Sequence, residues 1–378
     1  MPKQNPDTDR ISGDATREGT EHYAERFAGR VASGHFRHTP AGISVSSIGI
    51  GTYLGDPDAA TDRAYTESVV AAVEGGLNLV DSAINYRFQR SERSIGAALK
   101  QLLANGFSRD EIILCTKAGF LTPDGEMPAD TDEYFAREYL SRHLFRPEDI
   151  AQGCHCLAPA FMADQLERSR NNLGVECIDV FYLHNPETQL QEIDRAAFRG
   201  RLATVFTFLE AAVADGKIAA YGMATWNAFR EEARSPRYLS LEDMVSIARE
   251  TAGENHHFRF VQLPFNLAMP EALTLPNQIV EGKTMAMVQA ARAMGITLVS
   301  SAALLQGQLT KELPSYVAEA LGLHSNSALA LQFARSAPGI TTALVGMSRV
   351  DHVKANLELV AVERAPRDQF LKLFGPHS

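Results

Sequence analysis

The feature that most limits the fold of this chain is a regular alternation of short and long apolar patterns. From about residue 46 onward, short runs of β-branched and other apolar residues alternate with longer segments whose apolar residues recur at helical spacing. This alternation is typical of a parallel sheet, because parallel strands need a crossover between them. The predicted strands are residues 47–50, 77–80, 112–115, 178–183, 218–223, 258–263, 296–299 and 341–345. The predicted helices are residues 61–75, 91–105, 161–173, 201–214, 241–251, 284–293, 328–334 and 350–357.

Eight predicted strands, each followed by a helix, favour a closed (β/α)8 TIM barrel over an open doubly wound sheet. A dinucleotide-binding open sheet would carry a glycine-rich phosphate loop after its first strand. Here Gly49 and Gly51 are followed by Thr52 and Tyr53, so the G-x-G-x-x-G pattern is not completed. No low-complexity linker divides the middle of the chain. We therefore predict a single barrel domain over residues 41–378.

The first 40 residues differ from the rest of the chain. They carry many charges of both signs among Gly, Thr and Ser, and they show no sustained apolar periodicity. A segment of this composition is expected to bury little apolar surface. We predict that residues 1–40 form a polar N-terminal arm that is mobile or binds a partner.

The overall composition argues against several classes of protein. Lys and Arg number 36 against 46 Asp and Glu, which gives a net charge of −10, and the basic residues are not clustered, so nucleic-acid binding is not expected. Four cysteines in 378 residues cannot form a disulfide framework, and we expect a reducing, cytoplasmic location. The sequence lacks both a run of about 20 apolar residues and an apolar leader, so we expect no membrane span and no signal peptide.

Three ionisable residues stand at the ends of predicted strands. Asp81 follows the second strand, Lys117 the third and His184 the fourth. In a closed barrel, polar residues at the carboxyl ends of the strands face the active site. Tyr86 lies shortly after Asp81, close enough for a turn to bring its hydroxyl over the barrel mouth. We interpret these four residues as one acid-base group.

The chemistry of such a group follows from the ordinary pKa values of its members. A tyrosine with a pKa near 10 is a weak acid at neutral pH, but a neighbouring ammonium group stabilises the phenolate and lowers that pKa. Lys117 is the candidate for the ammonium group, and Asp81 would keep it charged and in place. His184 would hydrogen-bond a substrate oxygen. A proton donor of this kind supports carbonyl reduction only when a hydride donor lies on the other side of the carbonyl.

Several segments of the chain match a known family in order. They are GIGTY at residues 49–53, LVDSAINY at 79–86, IILCTK ending at Lys117, IDVFYLHNP at 178–186, and LVGMS with HVKANL between 344 and 357. With these segments the chain resembles the aldo-keto reductase superfamily from about residue 46 to residue 359. The resemblance implies a (β/α)8 barrel in which NADPH or NADH transfers a hydride to an aldehyde or ketone. It further implies that Tyr86 is the general acid and that Lys117 lowers the pKa of its phenol. In the same resemblance, Asp81 pairs with Lys117 and His184 positions the carbonyl.

The resemblance also implies which residues contact the cofactor. The matching positions are Gly51, Thr52, Tyr53, Thr225, Gln262, Ser301, Ala302, Leu304, Gly346, Ser348, His352 and Asn356. Two positions depart from the family pattern. The Ser-Asn pair after the fifth strand is Ala224-Thr225, and the aromatic residue after the seventh strand is replaced by Ser301. Arg349 stands one residue from a position where NADPH-preferring members place a cation, so we expect NADP, with NAD as the alternative.

The interval between Lys117 and His184 is longer than in the resembled family, which implies an insertion at about residues 121–159 on the catalytic side. It contains DEYFAREYL, which predicts a helix. We hypothesise that the insertion forms a lid or pocket wall that selects the substrate. The candidate contacts are Tyr134, Phe135, Tyr139, Phe145 and the stretch Cys154, His155, Cys156. That Cys-His-Cys stretch lacks the spacing typical of zinc sites, and we interpret it as a loop.

The leading interpretation is an NAD(P)H-dependent carbonyl reductase, or the reverse alcohol dehydrogenase, that acts on a small-molecule carbonyl or alcohol without a metal. One alternative is a regulatory or redox-sensing barrel that binds the cofactor with little turnover. A second alternative is a metal-dependent barrel hydrolase, for which only Asp81 and His184 offer ligands at strand ends. The sequence does not identify the substrate. For the quaternary structure, a homo-oligomer is one option.

Overall fold

The computed structural model, which describes residues 10–375, contains a closed barrel of eight parallel strands. The strands of this part of the chain are β1 (Phe36–His38), β2 (Ser44–Ser46), β3 (Ile48–Gly51), β4 (Leu79–Asp81), β5 (Ile113–Ala118), β6 (Ile150–Ala151), β7 (His155–Cys156), β8 (Ile178–His184), β9 (Ile218–Ala224), β10 (Phe258–Pro264), β11 (Gln278–Val280), β12 (Lys283–Met285), β13 (Thr297–Ser301) and β14 (Ile340–Gly346). Around the barrel the order is β3, β4, β5, β8, β9, β10, β13 and β14, and β14 pairs with β3 to close it.

The structure confirms the predicted barrel and all eight of its predicted strands. Most strands end one to three residues later than predicted, because pairing with both neighbours extends them. As a result Asp81 and His184 are the last residues of β4 and β8, and Lys117 lies within β5. The parallel pairing joins Asp81 to Cys115, and Lys117 to Tyr182, so β4, β5 and β8 present these side chains at the same end of the barrel.

The helices lie outside the strands. They are α1 (Arg17–Arg26), α2 (Ala59–Glu74), α3 (Arg90–Ala104), α4 (Thr131–Phe135), α5 (Pro159–Leu173), α6 (Arg195–Ala214), α7 (Leu241–Ala252), α8 (Glu271–Thr274), α9 (Met287–Ala293), α10 (Ser315–Leu321), α11 (Asn326–Ser336), α12 (Val350–Leu357) and α13 (Arg367–Lys372). Several begin at a side-chain cap: Asp58 accepts from the amide of Thr61, and Asp194 from that of Ala197. Such a cap contributes about 1 kcal/mol to helix stability.

One predicted helix begins later than expected. The sequence pattern predicted a helix over residues 284–293, but residues Lys283–Met285 form β12, and the helix α9 starts at Met287. The reason is tertiary, because β12 pairs antiparallel with β11, which joins Gln278 to Met285. That pairing satisfies the backbone groups that an additional helical turn would otherwise use.

The segment before β3 closes the amino-terminal end of the barrel. The Tyr23 side chain of α1 is fully buried, and its hydroxyl donates to the carbonyl oxygen of Val73 at 2.5 Å. Ala15 and Val45 join the core inside the barrel, together with residues such as Val180 and Leu344. We predicted a mobile or partner-binding arm over residues 1–40. From residue 10 onward the structure instead packs this segment against the barrel, because Tyr23 and Phe27 are buried in the larger core cluster and Ala15 joins the core inside the barrel. Binding of a partner by this segment stays a prediction. Residues 1–9 of the predicted arm lie outside the described residues.

The insertion lies between β5 and α5. It contains α4, a following π-helical turn (Ala136–Leu140), and the hairpin formed by β6 and β7. The DEYFAREYL stretch is helical, as its pattern predicted. Within the described residues, we find no helix whose length and apolar character would suit a membrane span.

Candidate active site

A cavity of about 790 Å³ opens at the carboxyl ends of the barrel strands. Every residue predicted to be catalytic or to contact the cofactor lines it, except Lys117. These residues are Gly51, Thr52, Tyr53, Asp81, Tyr86, His184, Thr225, Gln262, Ser301, Ala302, Leu304, Gly346, Ser348, His352 and Asn356. Lys117 lies directly behind this lining, in contact with Asp81. The structure therefore brings together the residues that the sequence placed at separate strand ends.

Lys117 and Asp81 form a buried ion pair at the floor of the cavity. Lys117 Nζ donates to Asp81 Oδ1 at 2.6 Å and to the carbonyl oxygen of Ser82 at 2.6 Å. Gln262 Nε2 donates to the other carboxylate oxygen of Asp81 at 2.7 Å. Burial lowers the pKa of Lys117, but the neighbouring Asp81 and Tyr86 outweigh it, so that the pKa is raised overall. Lys117 is therefore an ammonium group at neutral pH.

Tyr86 lies in the turn after β4, with its ring beside this ion pair. Lys117 Nζ is 5.0 Å from the centre of the Tyr86 ring. The ring of Tyr53 meets it edge-on, with the ring centres 4.9 Å apart. Burial raises the pKa of Tyr86 above its ordinary value, while the charge of Lys117 acts in the opposite direction. Burial outweighs the lysine, so the phenol stays protonated through neutral pH.

His184 completes the group from the end of β8. Its ring centre is 5.9 Å from that of Tyr86 and 5.1 Å from that of Phe120, and both contacts are edge-to-face. Burial lowers the pKa of His184 well below its usual range, and the charge of Lys117 adds to this effect. The imidazole is therefore neutral. Its Nδ1 is buried and has no partner among the described residues. Since an orphaned N–H is rare in protein interiors, we assign the proton to Nε2.

Thr225 occupies the floor of the cavity beside Gln262. The Thr225 side chain is only 5% exposed, and its hydroxyl has no hydrogen-bond partner among the described residues. The backbone amide of Thr225 donates to the carbonyl oxygen of Gln262 at 2.9 Å, which fixes the two residues side by side. An unpartnered buried hydroxyl beside a buried amide side chain is suited to hold a polar group of a bound molecule.

The far end of the cavity lies at the start of α12. Gly346, Ser348, His352 and Asn356 line it, and the free backbone amides at the first turn of α12 favour an anion there. Arg349 donates to His352 Nε2 at 3.0 Å. Arg349, which stands one residue from the expected cation position in the sequence, therefore contacts the side chain of His352, a residue that lines the cavity.

The loop after β13 covers one side of the cavity. Leu304, Gln306, Gly307 and Thr310 line the cavity there. Ala302, Leu305 and Gln306 have positive φ angles of 55°, 46° and 52°, which non-glycine residues seldom adopt. Asn266 Nδ2 helps to fix this backbone by donating to the carbonyl oxygen of Ala302 at 2.9 Å.

Sequence reasoning missed several residues of this cavity. Phe120 and Trp226 are the main examples, and each stands two residues after the end of a strand, so a rule based on position near strand ends rather than on polar side chains could have found them. Glu187 supports Trp226, because its Oε1 accepts from the backbone amides of Trp226 and Asn227 at 2.9 and 3.1 Å. No local pattern signals Glu187, since its partners belong to the loop after β9.

The aromatic residues of the insertion that were predicted to contact the substrate do not lie at the cavity. Tyr134, Phe135, Tyr139 and Phe145 do not line the cavity, and that part of the hypothesis is wrong. Tyr139, Phe145 and Phe161 of α5 instead form an aromatic cluster whose ring centres are 5.6 to 6.2 Å apart. Aromatic side chains in an insertion bury more surface against a neighbouring helix than over an open cavity.

The Cys154, His155, Cys156 stretch is not an ordinary loop. His155 and Cys156 form β7, and both side chains are fully buried. Within residues 10–375, no group of three or more His, Cys, Asp and Glu side chains has an arrangement that could hold a metal ion.

Comparison with known proteins gives one family match and several relatives. The model of the aldo/keto reductase family matches residues 47–373. A D-threo-aldose 1-dehydrogenase of a Pseudomonas species is 31% identical over 191 residues, which are 49% of this chain and 51% of that protein. An NADH-specific methylglyoxal reductase of Escherichia coli K12 is 26% identical over 191 residues, or 49% of this chain and 50% of that protein. The matches thus span about half the length of these curated relatives.

Solved structures share the fold. An aldo/keto reductase of Klebsiella pneumoniae, in complex with NADP and acetate, gives a TM-score of 0.59 at 19% identity, covering 91% of this chain and 96% of that one. The holo form of an aldo-keto reductase from Bacillus halodurans gives a TM-score of 0.60 at 19% identity, covering 89% of this chain and 95% of that one. At this identity the likeness establishes the barrel architecture.

Proposed function

The chain belongs to the aldo/keto reductase family, and from this premise we propose that it is an NAD(P)H-dependent oxidoreductase. In this proposal it reduces an aldehyde or ketone, or catalyses the reverse oxidation of an alcohol. The observation that carries the proposal is the Tyr86 ring beside the buried Lys117–Asp81 pair, with His184 at the same end of the cavity. A phenol, an ammonium group and a neutral imidazole at one cavity end are suited to protonate a carbonyl oxygen.

The cavity also fits a nicotinamide dinucleotide. Its lining runs from Tyr86 and His184 to the start of α12, and a Cβ added at Gly346 would meet no atom within 4 Å. Thr225 and Gln262 would hold the carboxamide, and Thr225 supplies the unpartnered hydroxyl for it. Gly51, Thr52, Tyr53, Ser301, Ala302 and Leu304 would line the nicotinamide and ribose, and Gly346, Ser348, His352 and Asn356 would line the phosphates and adenine. When bound, the dihydronicotinamide supplies the hydride for the reduction.

The residues of this chain supply the proton chemistry. The Tyr86 hydroxyl donates its proton to the substrate oxygen as negative charge develops there. Lys117 stabilises the phenolate that remains, and Asp81 keeps Lys117 charged and fixed by their 2.6 Å contact. His184 donates a hydrogen bond from Nε2 to the same substrate oxygen and orients the carbonyl. Because the imidazole is neutral, it assists without competing as an acid.

We favour NADP over NAD as the cofactor. The 2′-phosphate of NADP carries a charge of about −2 and is best held by a guanidinium group. Arg349 lies against His352, which lines the far end of the cavity, and we propose it for that contact. The relative whose name specifies NADH keeps NAD as the alternative. The substrate class and the direction of the reaction are also part of the proposal. Aldoses and 2-oxoaldehydes are the first compounds to test, because the names of two relatives specify them.

The test combines cofactor binding with turnover. Trp226 is the only tryptophan of the sequence and lines the cavity, so NADPH and NADH binding can be followed by the quenching of its fluorescence. We expect reduction of at least one carbonyl in a panel of aldoses, 2-oxoaldehydes and aromatic aldehydes. Tyr86→Phe should lower kcat by about 10²–10⁴-fold and leave the cofactor Kd unchanged. Tight cofactor binding without turnover on any member of the panel would instead favour a regulatory or redox-sensing barrel.

A further inference from the structure

The insertion reaches the candidate active site through the hairpin of β6 and β7. This hairpin pairs with the chain that follows β5. The amide of Cys156 donates to the carbonyl oxygen of Gly119 at 2.7 Å, and the amide of Leu121 donates to that of Cys154 at 2.8 Å. The hairpin is therefore fixed to the backbone on both sides of Phe120, a residue that lines the cavity.

His155, the first residue of β7, makes two directional hydrogen bonds. Gln189 Nε2 is 2.8 Å from His155 Nδ1 and can only donate, so Nδ1 is an acceptor. His155 Nε2 then carries the proton and donates to the carbonyl oxygen of His184 at 2.8 Å. Gln189 is held in turn by Arg201, which donates to its Oε1. Burial lowers the pKa of His155 to about 4, so the ring keeps this single neutral form at neutral pH.

The surroundings leave little freedom for this contact. The ring centre of Phe120 is 5.0 Å from that of His155 and 5.1 Å from that of His184, so one aromatic ring lies against both histidines. Gly119 allows the approach, because a Cβ there would lie 2.8 Å from the His184 carbonyl oxygen and 2.9 Å from His155 Nε2. A side chain at residue 119 would separate the two histidines.

We propose that His155 is a positioning residue that fixes the backbone of His184 and the ring of Phe120, and that this is how the insertion contributes to the reaction. The inference rests on the proposed function, because it assigns His184 the task of orienting the substrate carbonyl. The unpartnered Nδ1 of His184 strengthens the argument. No side chain of the described residues holds that ring by a hydrogen bond at Nδ1, so its direction depends on its backbone and on the rings packed against it.

The central experiment compares substitutions of His155 with a matched control. His155→Ala removes both hydrogen bonds, and we expect the carbonyl kcat/KM to fall about 10-fold to 100-fold, the effect of a small misplacement of a reacting group. His155→Gln provides an amide that can donate to the His184 carbonyl and accept from Gln189, so it should recover part of the loss. His143→Asn changes an exposed histidine of the same insertion with a φ of 54°, which asparagine tolerates, and should behave as wild type.

Gly119→Ala tests the same contact from the other side. Its Cβ would push the His184 carbonyl away from His155, and alanine at a φ of 157° also strains the local backbone, so this variant should lose at least as much kcat/KM as His155→Ala. In all of these variants the Kd for NADPH, measured by quenching of Trp226, should stay at the wild-type value. Equal losses of cofactor affinity and of kcat/KM would show a general disturbance of the fold and would overturn the positioning role. Wild-type kcat/KM in His155→Ala would overturn it as well.

A spectroscopic readout separates this inference from the proposed function. In the wild type, the side-chain ¹⁵N signals should include those of a histidine whose Nδ1 is unprotonated and which does not titrate between about pH 8 and about pH 5. These signals should be missing from the spectrum of His155→Ala. The His184 signals should shift and broaden in His155→Ala and recover in His155→Gln. If the wild type reduces no carbonyl, the proposed function fails, and the His184 signals still decide the positioning. Unchanged His184 signals in His155→Ala would refute it.

Discussion

The two ends of the barrel each contain a buried ion pair, and the pairs differ in their surroundings. At the amino-terminal end, Arg109 Nη2 donates to Asp179 Oδ2 at 2.7 Å. The carboxylate also accepts from the backbone amides of Ala15 at 2.5 Å and Leu114 at 2.7 Å. Arg109 donates further to the carbonyl oxygens of Ile112 and Cys177. Groups from three chain segments, at Ala15, at residues 109–114 and at residues 177–179, surround this pair, and neither of its residues lines the cavity at the carboxyl-terminal end.

At the carboxyl-terminal end, the Lys117–Asp81 pair lies under an open cavity. Unpartnered buried polar atoms surround it, among them His184 Nδ1 and the Thr225 hydroxyl. Leaving such atoms without a partner costs free energy, and both of these belong to residues that line the cavity, where a bound molecule can supply the partner. The comparison teaches that a buried ion pair does not by itself indicate function. The cavity distinguishes the catalytic end from the closed end, because Arg109 Nε at the closed end is also buried without a hydrogen-bond partner among the described residues.

Lys117→Met should give the largest effect and should act on turnover. Without the ammonium group the Tyr86 phenolate loses its stabilising charge, so we expect kcat to fall about 10²-fold or more per folded molecule. The measurement is single-turnover carbonyl reduction, normalised to the folded fraction by circular dichroism. Some loss of stability is expected too, because Gln262 is then the one side chain of the described residues that still donates to the Asp81 carboxylate. Unaltered turnover in Lys117→Met would remove the functional distinction between the two ends.

Asp179→Ala should affect stability and leave turnover per folded molecule unchanged. The substitution leaves the Arg109 guanidinium buried without its carboxylate, which costs about 3–5 kcal/mol in the free energy of unfolding. Urea denaturation measures the loss. Glu250→Ala is the matched control, because it breaks the exposed pair with Arg199 and should cost less than about 1 kcal/mol. A comparable loss of kcat in Asp179→Ala would contradict a purely structural role for this end.

The smallest expected effect is an acid-dependent loss of stability at the closed end. Burial lowers the pKa of His35 to about 4, and its Nε2 lies 3.0 Å from the carbonyl oxygen of Gly76. The unfolded chain, with a histidine pKa near 6.5, binds more protons than the folded protein below that pH. The contribution of His35 to the free energy of unfolding is therefore complete above about pH 6.5 and falls by roughly 3 kcal/mol as the pH drops to about 4. His35→Gln should reduce this slope in urea denaturation, and an identical slope would refute the assignment.

The sequence could predict the strands and most of the site because both depend on local patterns. Apolar runs of strand length, separated by helical periodicity, predict a βα alternation whatever the rest of the chain does. Asp81, Lys117 and His184 then follow from the rule that polar residues at strand ends face the barrel mouth. The Tyr86 position could also be inferred, because only a short turn separates it from Asp81.

The insertion and the amino-terminal segment could not be predicted in the same way. Tyr139 and Phe145 are aromatic residues of the type that lines substrate pockets, yet they pack on Phe161 of α5. From its sequence neighbours, His155 could be interpreted as a loop residue or a metal ligand. In the structure its hydrogen-bond partners are Gln189 and the backbone of His184. In both segments the role of each side chain depends on surfaces that the local sequence does not contain.

The sequence by itself determined the order of the strands and helices of the barrel and the residue types available for proton transfer. It also determined that polar residues would meet at the carboxyl ends of the strands. The tertiary structure alone decided that Gln262 would contact Asp81 across 181 residues, that Ala15 and Val45 would join the core inside the barrel, and that His155 would contact the backbone of His184. The physical reason is that secondary structure follows from periodicities of a few residues, whereas burial and hydrogen-bond partners depend on which distant surfaces the closed barrel brings together.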